Sequence, residues 1–176
     1  MRAMSQLVLI GCLFLCGTLP AQTRPAPSLV PYRNEQHRFQ ISYFSSWAPR
    51  AGAKPWIVVA FRPVEGNDNR SRAAVGVPNI SGPDIRLEQI ADEMVKELRT
   101  EVPDASVTIA AESKLAGEKA WRIIMTGHMN SIPVRILVMA AVHKEKPYVV
   151  GVLAPIFDWE RSRDGFDKMI ESFEFF

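Results

Sequence analysis

The chain has 176 residues, the usual size of one domain, and carries 21 lysine and arginine residues against 19 aspartate and glutamate residues. Its basic residues are spread among acidic ones and lack the clustered excess that displaces counterions from phosphate, so nucleic acid is excluded as a partner. Both cysteines, Cys12 and Cys16, lie near the N-terminus, which leaves the remainder without disulfides or thiolate metal ligands.

The N-terminal segment has the pattern of a signal peptide. A basic residue, a short apolar run and a small-residue cleavage site follow one another within residues 1–21. We predict cleavage after Ala21 and therefore a periplasmic or secreted protein. A competing interpretation is a lipobox in which Cys12 is lipidated and kept as a membrane anchor. No later run approaches the roughly 18 apolar residues of a transmembrane helix.

A proline-rich stretch follows the predicted signal peptide. Residues 22–31 contain three prolines, which remove amide donors and favour an extended, flexible tether. The single folded domain is then predicted to span residues 32–176.

The first predicted strands surround a polar loop. Apolar residues alternate with polar ones over residues 39–43, as in a strand with one buried face. Residues 56–61 form a continuous apolar run that is typical of a more deeply buried strand. Residues 65–72 are rich in turn formers, and residues 73–77 are short enough to be the strand that returns from this loop.

One amphipathic helix is predicted over residues 85–100. Its apolar residues recur at helical spacing, Asp84 is a suitable N-cap, and Pro103 ends it. We assign the apolar stripe to the core and the charged face to solvent.

A meander of four strands follows, over residues 107–111, 120–125, 134–142 and 148–154. Their connections are too short for parallel crossovers, so the strands are predicted to be antiparallel. Asp158 is the predicted N-cap of a second helix, and the terminal residues 172–176 are expected to add a short edge strand. The order β-β-β-α-β-β-β-β-α-β predicts an α+β fold with helices packed on an antiparallel sheet.

Three short motifs occur in order along the chain. Residues 39–47 (FQISYFSSW) resemble the F-x-I-x-Y-P-x-x-W opening of the PsbP-like superfamily, which is related to the extrinsic subunit P of photosystem II and includes exported bacterial proteins. Residues 117–121 resemble the G-x-x-A turn of that superfamily, and residues 170–173 resemble its closing I-x-S-F. Phe44 stands where the superfamily usually has proline. The residues that carry the resemblance are Phe39, Ile41, Tyr43, Trp47, Gly117, Ser172 and Phe173.

The resemblance implies an α/β/α sandwich around an antiparallel sheet and a non-enzymatic accessory role, without implying a photosynthetic function. The physical role expected of the motif residues is cohesion. The alternating aromatic residues would face the core, and Trp47 would cap one end of the sheet. Gly117 would supply a positive φ in a turn.

No catalytic, metal or cofactor site is predicted. The three histidines, His37, His128 and His143, form none of the local patterns of a metal site. The chain has no G-x-S-x-G nucleophile elbow and no glycine-rich phosphate loop.

The function predicted from the sequence is binding. Arg62, Arg70 and Arg72 surround the polar loop and are the proposed contact for an acidic partner, either another envelope protein or a small ligand. The alternative is an exported hydrolase whose site assembles only in the fold. A pocket that holds His128 or His143 beside a carboxylate and a hydroxyl would favour the hydrolase, whereas a filled core would favour the binding protein.

Overall fold

A computed structural model describes residues 28–65, 70–80 and 85–176. The predicted signal peptide, the lipobox at Cys12 and the N-cap Asp84 lie outside these ranges. The elements of the described chain are β1 (Leu29–Asn34), β2 (Phe39–Phe44), β3 (Trp47–Arg50), β4 (Ile57–Pro63), β5 (Arg72–Gly76), α1 (Leu87–Glu101), β6 (Ser106–Leu115), β7 (Glu118–Met129), β8 (Ile132–His143), β9 (Lys146–Pro155), α2 (Ile156–Glu171) and β10 (Glu174–Phe175).

The strands form two sheets. A small sheet has the order β1-β2-β10, and a large sheet has the order β3-β4-β5-β9-β8-β7-β6. Every neighbouring pair is antiparallel. The antiparallel strands are thus divided between two sheets, because β1 and β10 pair with β2 rather than with the meander. Neither helix of the described chain has the length and apolarity needed to cross a membrane.

Helices cover both faces of the large sheet. On one face, Ile90 and Met94 of α1 pack against Ile136 and Leu153. On the other face, α2 and the small sheet enclose a second cluster that is rich in aromatic rings. The strands β8 and β9 are buried on both faces, which explains why they are nearly continuous apolar runs rather than alternating ones. The predicted α+β class, with an antiparallel sheet flanked by helices, is confirmed.

Two strands were missed because each contains a proline. Leu29–Pro31, which we assigned to the tether, belong to β1, where Pro31 pairs with Ser42. Pro49 lies in β3. Both strands are sheet edges, where the missing amide donor of proline faces away from the neighbouring strand.

The predicted N-cap of the second helix is also corrected. α2 begins after Pro155, and Asp158 lies in its first turn. There its carboxylate accepts a hydrogen bond from Ser71 Oγ at 3.1 Å.

Each hairpin of the meander turns through two residues. Both central residues have positive φ, as type I′ turns require, and this geometry matches the twist of the strands they join. The three pairs are Ala116 and Gly117, Asn130 and Ser131, and Lys144 and Glu145. Gly117 has φ +84° and therefore plays the predicted part.

The motif residues join the small sheet to α2 and the large sheet. Phe39 and Phe173 are both buried and stack with their ring centroids 5.5 Å apart. Ser172 Oγ accepts the backbone N–H of Ser42 at 2.8 Å, which ties the end of α2 to β2. Ile41 is buried in the same cluster, and the ring of Tyr43 stacks on Phe61.

Trp47 belongs to the same cluster and is 9% exposed. Its ring meets that of Phe44 edge to face at 5.1 Å. Phe44, which replaces the usual proline of the motif, thus contributes an aromatic contact to the core. Phe39, Ile41, Phe44, Trp47 and Phe173 are therefore all buried in one core cluster.

Candidate functional site

A cavity of about 90 Å³ lies between α1 and the large sheet. Ala74 of β5 and Gly151 of β9 form part of its floor, and Met94 and Leu98 of α1 lie over it. Six further lining residues are aliphatic and Trp56 adds an aromatic ring, so the interior of the cavity is apolar.

Two strand residues of the lining leave space beneath α1, because Ala74 has only a methyl group and Gly151 has no side chain. Gly151 lies in the middle of β9, paired with Ala74 on one side and Val138 on the other. A Cβ atom at Gly151 would meet only the carbonyl oxygen of Leu137, at 3.7 Å. A glycine in a strand also marks places where a ligand approaches closely.

Four charged residues line the mouth of the cavity and link α1 to the sheet. Lys54, in the loop between β3 and β4, forms an ion pair with Glu97 and lies 4.0 Å from Glu101. Arg72 of β5 forms an ion pair with Glu101. These side chains are partly exposed, with between 20% and 40% of each accessible to solvent. Two cations and two carboxylates therefore balance at the mouth.

A second arginine disturbs this balance. Phe61 pairs with Ala73 across β4 and β5, so the next residues along, Arg62 and Arg72, lie opposite each other on the α1 face. Arg62 Nε is buried, and within the described chain it has no hydrogen-bond partner. Arg50 occupies the same face of the edge strand β3, where it pairs with Ala60.

The electrostatics of Arg72 reflect this crowding. Burial lowers the pKa of its guanidinium, Glu101 acts to raise it, and the neighbouring charge of Arg62 lowers it further. Two like charges side by side in a partly buried position favour the approach of an anion.

The fold brings together two of the three predicted binding residues. Arg62 and Arg72 are neighbours, but Arg70 precedes β5, does not line the cavity, and has interactions of its own. Sequence reasoning missed Lys54, Glu97, Glu101 and Gly151. Only Gly151 gave a signal, as a lone glycine within an apolar strand. Glu97 belongs to the face of the helix that we assigned to solvent, and Glu101 lies just beyond the predicted end of that helix.

Two histidines have carboxylate partners. His128 Nδ1 lies 2.7 Å from Asp104 Oδ2, and its backbone N–H donates to Asp104 Oδ1 at 2.8 Å. His143 Nδ1 lies 2.8 Å from Glu118 Oε1, and its ring stacks on Phe175 at 4.2 Å.

These histidines lie apart from the cavity. His128 is next to the turn between β7 and β8, and His143 is at the other end of β8. In the described part of the chain, neither residue is hydrogen-bonded to a hydroxyl group or lines the cavity beneath α1. Those residues also contain no group of histidine, cysteine and carboxylate side chains that could hold a metal ion.

No protein-family model matches the sequence, and no curated protein sequence matches it significantly. Several solved structures are similar. The solution structure of cyanobacterial PsbP from Synechocystis sp. PCC 6803 matches with a TM-score of 0.65 and 15% identity, covering 89% of this chain and 96% of that one.

Two other similar structures come from different organisms. The Ran-binding protein Mog1p of Saccharomyces cerevisiae matches with a TM-score of 0.57 and 9% identity, over 85% of this chain and 96% of that one. LpqN of Mycobacterium tuberculosis, described as involved in cell envelope biogenesis, matches with a TM-score of 0.53 and 13% identity, over 87% of this chain and 86% of that one. The chain therefore has the PsbP-like fold that its motifs predicted.

Proposed function

We propose that this protein is an exported, non-enzymatic binding protein of the cell envelope that recognises an acidic group of a partner protein. The contact is made on the α1 face of the large sheet, by Arg62 and Arg72. The observation that carries the proposal is the buried Nε of Arg62, which lacks a hydrogen-bond partner in the described residues and lies beside a second arginine.

An unmet donor of this kind has a cost that a ligand can remove. A buried polar group without a partner costs roughly 1–3 kcal/mol, and more when the group is charged. A carboxylate placed between the two guanidinium groups would accept hydrogen bonds from both and would offset their mutual repulsion. Arginine suits this task because its planar fork matches the geometry of a carboxylate.

The similar structures support a non-enzymatic binding role. Mog1p is described as Ran-binding and LpqN as involved in cell envelope biogenesis. Neither description concerns catalysis, and one names a protein partner. The predicted signal peptide supplies the location, because it would direct the domain to the envelope or beyond.

The hydrolase alternative has less support. The two pairs of histidine and carboxylate provide half of a nucleophile-activating arrangement, but general-base catalysis also needs a hydroxyl or water within reach of the imidazole. A substrate could be held away from water in the cavity beneath α1. The lining of that cavity contains no histidine.

The proposal is tested by affinity capture from the envelope of cells that make the protein. Arg62→Gln and Arg72→Gln each remove one charge from the α1 face. The matched control is Arg135→Gln, because Arg135 also forms one ion pair, with Glu160, and is 29% exposed. We expect both α1-face variants to recover at least fivefold less of the cross-linked partner than the wild type, and the control to recover the same amount.

Recovery that is unchanged in the two α1-face variants, or reduced equally in all three, would contradict the proposal. Circular dichroism and thermal unfolding of each variant establish that any loss is not due to unfolding.

A further inference from the structure

The apolar cavity and the arginine pair are adjacent, and together they specify a ligand. We propose that the cavity beneath α1 binds a small branched aliphatic group whose carboxylate contacts Arg62 and Arg72. This inference rests on the proposed function and adds the chemical class of the group that is recognised.

The size of the cavity limits the hydrocarbon. An engineered cavity of about 150 Å³ admits benzene, which has six carbon atoms. The present cavity of about 90 Å³ is roughly three-fifths of that size and has room for about three or four carbon atoms. This corresponds to an isopropyl or isobutyl group, and the aliphatic lining gives such a group no polar partner.

The position of the charges fixes the other end of the ligand. Arg72 lines the cavity, and Arg62 lies beside it on the next strand. A carboxylate held there is within a few bonds of a hydrocarbon inside the cavity. The same carboxylate competes with Glu101, which already pairs with Arg72. Glu101 thus acts as an internal competitor that occupies the site when no ligand is bound.

Two sources share this chemistry. The C-terminal carboxylate of a polypeptide that ends in leucine or valine carries such a side chain on the adjacent carbon. A free branched-chain acid of four or five carbons carries it directly. N-acetylleucine represents the first source and 3-methylbutanoate the second.

The experiment is a titration of the purified protein followed by NMR, with the backbone amide of Gly151 and the methyl group of Met94 as reporters. The two carboxylate probes are compared with acetate, which lacks the hydrocarbon, and with N-acetylleucinamide, which lacks the charge. We expect at least one carboxylate probe to shift both reporters saturably and to bind at least tenfold more tightly than acetate and the amide. The tighter of the two carboxylates identifies the source.

Three variants separate the parts of the site. Gly151→Val fills the cavity and should weaken binding at least tenfold while the protein stays folded, since a Cβ there has open space. Arg62→Gln should weaken binding by a similar factor, whereas Glu101→Gln, which removes the competitor, should strengthen it at least twofold.

The inference is overturned if no probe shifts the reporters, if acetate or the amide binds as tightly as the carboxylates, or if Gly151→Val binds as well as the wild type. Its failure is distinguishable from failure of the proposed function. If capture of the partner still depends on Arg62 and Arg72, the acidic group is recognised without an aliphatic chain and only the inference fails.

Discussion

Aromatic side chains that carry the sequence motifs hold the α2 side of the molecule together. Trp47, Phe44 and Phe166 lie ring against ring, with Phe166 1% exposed. The alternation over residues 39–43 was visible in the sequence, so the burial of Phe39 and Ile41 could be predicted. The arrangement of Arg62 and Arg72 could not, because two arginines ten positions apart become neighbours only through the register of β4 and β5.

Replacing Trp47 tests the cohesive role of the motif. We expect Trp47→Ala to lower the free energy of unfolding by about 3 kcal/mol or more, because it removes a large buried ring and leaves a cavity. Urea unfolding measures the difference. Trp121, which is half-buried on the other face, provides the control and should cost less when replaced by alanine. A loss below about 1 kcal/mol for Trp47 would contradict its placement in the core.

The pair formed by Asp104 and His128 predicts a pH dependence. The backbone N–H of His128, and then its side chain, hold the pKa of Asp104 below its ordinary value. A carboxyl with a lowered pKa in the folded state stabilises the fold above its unfolded-state pKa, about 3.9, and this contribution is lost as the pH falls through the folded-state pKa.

We therefore expect Asp104→Asn, which keeps the side-chain oxygen but removes the charge, to be less stable than the wild type at pH 6. The difference should shrink as the pH is lowered below about 4. Thermal unfolding across this range measures it. A difference that stays constant with pH would show that the charge of Asp104 contributes nothing to stability.

At the scale of elements, the meander was predictable and the two edge strands that contain proline were not. The meander strands are long and their turns are short, so connection length alone fixed their antiparallel pairing. The edge strands β1 and β3 each contain proline, and an edge tolerates proline for a reason that appears only when the neighbours are known. The cavity was equally hidden, because it depends on which residues of α1 lie over Gly151.

The hairpin turns give a paired prediction on backbone conformation. Glu145 has φ 62°, which costs a residue with a side chain roughly 1–2 kcal/mol. Glu145→Gly should therefore raise the free energy of unfolding by about 0.5–1 kcal/mol after the greater entropy of the unfolded chain is counted. Gly117→Ala, at φ +84° and with nothing within 4 Å of the added Cβ, should lower it by about 1 kcal/mol. Urea unfolding measures both changes. A decrease in the free energy of unfolding for Glu145→Gly together with an increase for Gly117→Ala would contradict the assigned turn geometry.

Replacing the glycine in β9 by alanine should change the free energy of unfolding in the opposite direction to Gly117→Ala. Gly151→Ala adds a methyl group to open space and removes the conformational freedom of glycine in the unfolded chain. We expect the free energy of unfolding to rise by about 1 kcal/mol, measured by urea unfolding. A decrease would mean that the floor of the cavity is already filled.

At the scale of the whole molecule, the two faces of the large sheet have different characters. The α2 face is filled by aromatic rings and by the small sheet, whereas the α1 face contains the cavity, the ion pairs at its mouth and the arginine pair. If α1 served only to hold the molecule together, we would expect its side chains to fill the space between the helix and the large sheet. This difference between the faces supports the proposal that the partner binds on the α1 face.

The most direct test of this claim is photo-cross-linking in cells that make the protein, with a photoreactive residue placed on either helix. Glu93 of α1 and Arg163 of α2 are suitable matched positions, since each is exposed and engaged only in an ion pair within its own helix among the described residues. We expect a discrete cross-linked partner from position 93 and at least fivefold less of it from position 163. Equal cross-linking from both positions, or stronger cross-linking from position 163, would contradict it.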